Sequence, residues 1–86
     1  MKIIYTSKFA REYRKLPKEI KILAESKEKI FRKNPFNSIL ETHKLHGRFK
    51  DFRSFSINFK YRIVFEFREK DNVIYFHSVG DHVIYK

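Results

Sequence analysis

Four histidines and one arginine are the residues of this 86-residue chain best suited to chemistry. The histidines are His43, His46, His77 and His82, and imidazole is the side chain that can take up or release a proton near neutral pH. Arg62 stays charged at any physiological pH and offers two parallel N–H donors that match two oxygens of a phosphate. Together these groups suit cleavage of RNA without a metal. A base removes the ribose 2′ proton, the 2′-oxygen attacks the neighbouring phosphorus, an acid protonates the departing 5′-oxygen, and a cation holds the charge that builds on the phosphoryl oxygens. Other chemistries lack their residues. The chain has no HExxH, Walker or GxGxxG pattern and no cysteine. His43 and His46 stand three apart in a segment that reads as loop, with no carboxylate pair at ligand spacing, so neither metal nor cofactor is expected. Residue types alone do not single out one histidine. His77 lies inside a β run and reads as structural.

These side chains must be positioned by regular elements. Lys2 to Tyr5 is a short β-prone run. Thr6 and Ser7 can cap a helix whose face is Phe9, Tyr13 and Leu16. Leu16-Pro17 ends that helix and Pro17 opens the next, with Ile20, Leu23, Ala24, Ile30 and Phe31 as its apolar stripe. Asn34-Pro35 stops it. Residues 36–50 read as a polar connection. Residues 52–59 alternate with Phe55, Ile57 and Phe59 on one parity. Residues 61–67 alternate as well, with Tyr61, Ile63, Phe65 and Phe67 on one side and Arg62, Val64 and Glu66 on the other. Asp71-Asn72 is a turn signal, and 73–79 is a strand apolar on both parities. The pattern is α+β: an N-terminal strand and helical hairpin packed on one face of a mostly antiparallel β-sheet, in one domain spanning 1–86. The helices should pack Phe9, Tyr13, Leu16, Ile20, Leu23 and Ile30 against Phe55, Ile57, Ile63 and Phe65. Arg62 then falls on the open sheet face.

Composition narrows the partners. Twenty Lys and Arg against ten Asp and Glu give a formal charge of +10, which favours a polyanionic partner. Residues 1–33 hold eleven basic and four acidic side chains, so the helical part carries most of the excess. Ten Phe and five Tyr supply the large apolar surfaces that so small a core needs. No apolar run approaches the roughly 20 residues that span a bilayer, and the start has no signal-peptide pattern, so the cytoplasm is the expected location.

Several segments stand in a telling order: Lys44-Leu45-His46-Gly47, then Phe52 to Asn58, then Tyr61-Arg62-Ile63-Val64-Phe65, then Val79-Gly80-Asp81-His82-Val83-Ile84-Tyr85. Over essentially the whole chain this resembles the RelE/ParE superfamily of toxin–antitoxin proteins, nearer its RelE, YoeB and YafQ-like members. The resemblance implies a RelE-like fold, a cognate antitoxin as partner, and cleavage of mRNA on the ribosome. It implies a catalytic or phosphate-binding role for Arg62, an acid or phosphate-contacting role for His82, a general-base role for His43, and base stacking by Tyr85. Lys50, Arg53 and Lys60 are the further candidates for contacts to the RNA backbone, and no small-molecule substrate is expected. Ser56 stands where many relatives carry Arg or His. The runner-up is a non-enzymatic ParE-like inhibitor of DNA gyrase, and a third reading is a chain that only pairs with its antitoxin. The His–Arg set favours the nuclease, because an inhibitor needs no titrating group.

Overall fold

A computed structural model of the chain describes residues 1–81. His82 and Tyr85 lie outside the described residues. The elements in chain order are β1 (Lys2–Tyr5), α1 (Ser7–Arg14), α2 (Lys18–Lys33), β2 (His43–Lys44), β3 (Arg53–Ser56), β4 (Tyr61–Arg68) and β5 (Val73–Asp81). The five strands form one sheet in the order β1-β5-β4-β3-β2. β1 runs parallel to β5, and every other pairing is antiparallel. Both helices pack on one face, as the alternation and helical spacing require.

Local signals explain the boundaries. Thr6 Oγ1 accepts from the Phe9 N–H at 3.1 Å and caps α1. The same hydroxyl donates to the His77 carbonyl, which ties the start of α1 to β5. Pro17 precedes α2, and Asn34 ends it in extended backbone ahead of Pro35. Phe31 lies at the centre of the core, fully buried, with ring centroids 4.7 Å from Phe55, 5.0 Å from Phe65 and 5.3 Å from Phe76. Phe9, Leu16, Ile20 and Ala24 complete the helical side, with Tyr13 and Ile30 partly buried against them.

Three expectations need correction. Leu23 is exposed, not packed on the sheet. Ala24 takes the seam and is buried there. Phe59 is 87% exposed. β3 ends at Ser56 because Asn58 builds a turn: its Oδ1 accepts from the Lys60 and Tyr61 N–H groups at 2.9 and 2.8 Å. Phe59 therefore stands at the tip of a hairpin instead of in a strand. The 36–50 connection is more than a polar loop. It buries Leu40 and Leu45 and contributes β2, which pairs His43 with Ser54 and Lys44 with Arg53.

One irregularity shapes the open face. Val64 opposes Ser78, but Phe65 opposes Phe76, so His77 is an extra residue in a β-bulge. Strict alternation from the core residue Val79 would turn His77 toward the helices and Phe76 away from them. The bulge reverses this, placing Phe76 in the core and His77 on the open side. Among the described residues, no helix is long and apolar enough to cross a membrane.

Candidate functional site

The face opposite the helices is lined by alternate residues of three strands: Ser54 and Ser56 of β3, Arg62, Val64 and Glu66 of β4, and Tyr75, His77 and Ser78 of β5. Arg62 lies between Ser56 and Gly80 in the sheet register. Its Nη1 donates to Ser56 Oγ at 2.6 Å and to the Asn58 carbonyl at 2.8 Å. Ser56 Oγ itself donates to the Asn58 carbonyl at 2.7 Å. Two neutral oxygens thus orient the guanidinium without neutralising it. A cation held this way is well suited to an anionic group. Ser56 here serves to fix Arg62.

His43 is exposed at the edge of the sheet, and its register opposite Ser54 puts it on the same face as Arg62. Its Nδ1 lies 3.0 Å from the Glu41 carbonyl. A carbonyl only accepts, so Nδ1 carries the proton, and in the neutral ring Nε2 is left as the basic nitrogen. His43 is two strands and two residues from Arg62, roughly 12 Å between Cα atoms for ordinary sheet spacings. Lys50 is exposed at the end of the 47–49 turn. Lys60 is exposed in the β3–β4 hairpin, its Nζ 5.4 Å from the Tyr61 ring centroid.

Arg53 is placed differently. It opposes Phe65 and Lys44, on the parity of the helix side, and its guanidinium lies 5.7 Å from the Phe36 ring centroid. It therefore does not share the face of Arg62. Ser54 and Ser56 take the open parity of β3, which leaves Arg53 and Phe55 the other. Arg53 is half-buried, with its guanidinium over Phe36.

Sequence reasoning passed over two clusters. The first is His77, whose Nε2 lies 2.9 Å from Glu66 Oε1. The imidazole stacks on Phe52 at 4.8 Å and on Tyr75 at 6.0 Å. Burial pushes the Glu66 carboxyl up, but hydrogen bonds from His77 and Arg68, with the Arg68 charge, outweigh it and hold the group below its ordinary range. The second cluster joins α1 to β5. Lys8 Nζ donates to Ser78 Oγ at 3.0 Å and to Glu12 at 3.1 Å. Glu12 Oε1 accepts from Ser78 Oγ at 2.8 Å and from the Val79 N–H at 3.1 Å. Here too burial raises the carboxyl, and bonds from Ser78, Lys8 and the Val79 N–H overcome it, leaving a net lowering. Among the described residues, no group of three or more His, Asp or Glu side chains is gathered to hold a metal.

No protein-family model and no curated protein sequence matches the chain. Solved structures do. YafQ from E. coli strain BL21(DE3) superposes with a TM-score of 0.78 at 15% identity, covering 94% of this chain and 92% of that one. A YoeB/ParE toxin from Agrobacterium tumefaciens gives 0.79 at 15% identity, covering 95% and 99%. The intact E. coli RelBE toxin–antitoxin complex gives 0.72 at 21% identity, covering 93% and 94%. Over nearly their whole lengths these proteins and this chain share one fold.

Proposed function

We propose that this chain, which has the fold of the RelE/ParE toxins, is the toxin of a type II toxin–antitoxin pair and cleaves mRNA on the ribosome. The observation that carries the reading is Arg62: a cation on the open face of a +10 chain, aimed by Ser56 and Asn58 and shielded from the helices by the sheet. The chemistry needs no cofactor. Arg62 holds the equatorial oxygens of the phosphate in the transition state. His43, with Nδ1 fixed by the Glu41 carbonyl, presents Nε2 to the 2′-hydroxyl as general base. His82 protonates the departing 5′-oxygen, and Tyr85 stacks on a base. Lys50 and Lys60, both exposed, bind the RNA backbone. The products are a 2′,3′-cyclic phosphate and a 5′-hydroxyl.

The partner that silences such a protein is an antitoxin with an acidic or amphipathic segment that orders as it wraps the toxin. Opposite charge makes the encounter fast and salt-sensitive. Both proteins act in the cytoplasm, where the ribosomes are. The test is to induce the chain in cells and map mRNA 5′ ends, with gyrase supercoiling assayed in parallel. New 5′ ends within translated messages are expected. Blocked supercoiling with intact messages would replace this reading with that of a gyrase inhibitor. The neighbouring reading frame should encode a protein that copurifies with the chain and relieves its toxicity.

A further inference from the structure

A cleft of about 430 Å³ lies between the start of α1, the turn leading into β3, and the open sheet face at Val64, two residues along β4 from Arg62. Its apolar walls are Phe49, Phe52 and Val64, and its polar groups are Thr6, Lys8, His77 and Ser78. We infer that this cleft binds one nucleobase of the RNA strand whose phosphate rests on Arg62, an inference that builds on the RNA-cleaving role proposed above.

Three features select a base. The first is stacking. Phe52 and His77 are within 24° of parallel at 4.8 Å, and Tyr75 continues the column at 19° and 6.0 Å. The Glu66 carboxylate holds the imidazole by its edge, so the column is rigid before any ligand arrives. A flat aromatic ligand extends such a column at little entropic cost. The second is charge. Lys8 is paired with Glu12, and His77 is hydrogen-bonded to the Glu66 carboxylate, so each basic side chain of the cleft already has a carboxylate beside it. That disfavours a phosphate and suits a neutral ring. Arg62, bonded to neutral oxygens, is where the phosphate goes. The third is hydrogen bonding. An ammonium has three donors, and Lys8 directs two at Glu12 and Ser78. The remaining one favours a base edge that accepts, as O6 and N7 of guanine do.

Position agrees. Val64 follows Arg62 by two residues on the same face of β4, roughly 7 Å along the strand. A nucleotide with its phosphate on Arg62 thus has an adjoining base within reach of the cleft. The bulge is what makes this possible, because it brings His77 and Ser78 to the same side.

The test uses a 2′-O-methylated RNA heptamer, which cannot be cut by 2′-hydroxyl attack. Affinity is measured by fluorescence anisotropy for the heptamer and for versions with each base removed in turn. Wild-type protein needs no folding control here. One abasic position should weaken binding roughly tenfold or more, the usual worth of a stacked base. Phe52→Leu should weaken the intact heptamer by a similar factor and erase the penalty at that position. Lys8→Ala should do so in part, and should flatten any preference for guanine there. If Arg62→Ala weakens binding while no abasic position matters by more than twofold, the cleft is not a base site and the RNA-binding face still stands. If Phe52→Leu leaves the abasic penalty unchanged at every position, the cleft is equally ruled out; a penalty that Tyr85→Ala erases belongs to the base stacked on Tyr85. If wild-type protein binds no RNA even at low salt, the cleft assignment falls, while the RNA-cleaving role is decided separately by cleavage of mRNA on programmed ribosomes.

Discussion

Ser56 and Arg62 should behave as one catalytic unit, with Ser56 acting only through Arg62. The geometry sets the size of the effect. Arg62 Nη1 is held by Ser56 Oγ at 2.6 Å and the Asn58 carbonyl at 2.8 Å. Arg62→Ala removes the charge that faces the developing phosphoryl anion, at a cost of about 3–4 kcal/mol, on the order of a hundredfold to a thousandfold in rate. Ser56→Ala removes one of the two tethers and leaves the other. A charge-assisted bond of this kind is worth roughly 1.5–3 kcal/mol; since the Asn58 carbonyl keeps part of the alignment, about a tenfold rate loss is expected. In the Arg62→Ala background, Ser56 Oγ still donates to Asn58, so no polar group is stranded. Adding Ser56→Ala there should change the rate by less than about twofold, giving a coupling energy of roughly 1 kcal/mol. Arg62→Lys should recover little, because a point charge cannot reproduce a guanidinium held at two oxygens. The assay is single-turnover cleavage of mRNA on programmed ribosomes, with each variant checked for native folding. Strictly additive losses from Ser56→Ala and Arg62→Ala would refute the argument that Ser56 works by orienting the guanidinium.

Phe31→Ala should lower stability by about 3–5 kcal/mol, since it empties a site walled by Phe55, Phe65 and Phe76; thermal melting should drop by roughly 15 °C or more. Glu12 is held below its ordinary value of 4.5, so its contribution is complete above that pH and is lost as the pH falls through the lower folded value. Urea unfolding should therefore show Glu12→Gln less stable than wild type at pH 7, with the gap closing in acid. Ser54 Oγ is fully buried without a hydrogen-bond partner among the described residues, so Ser54→Ala should be neutral or stabilising, by up to about 1 kcal/mol in the same assay. Affinity for ribosomes or RNA should fall steeply between low and moderate salt, as Lys50, Lys60 and Arg62 release counterions; a flat response would count against the basic face.

The parts readable from sequence were those with a local period. Phe9, Leu16 and Ile20 announce the buried helix faces, and the alternation from Tyr61 to Phe67 assigns Arg62 to the open side. Proline and asparagine mark the ends of both helices. What could not be read depends on contacts distant in the chain or on a broken period. Lys8 and Glu12 look like an ordinary i,i+4 pair on a helix, and nothing nearby says that both reach Ser78. His77 reads as structural because it lies inside a β run; the bulge, set by pairing with β4, brings it to Glu66. Arg53 looked like a partner of Arg62 because both are basic and lie on neighbouring strands. The register sends the two to opposite faces. Phe59 failed for a related reason, since the side chain of Asn58 converts the expected strand end into a turn.

The most direct test of the central claim is the chemistry of the cut ends. Purified protein is mixed with ribosomes programmed with a defined mRNA, and the fragments are analysed for their terminal groups. Attack by the 2′-hydroxyl predicts a 2′,3′-cyclic phosphate on the upstream fragment and a 5′-hydroxyl on the downstream one, both lost with Arg62→Ala. Fragments ending in 5′-phosphate, or full-length mRNA after prolonged incubation with folded wild-type protein, would contradict it.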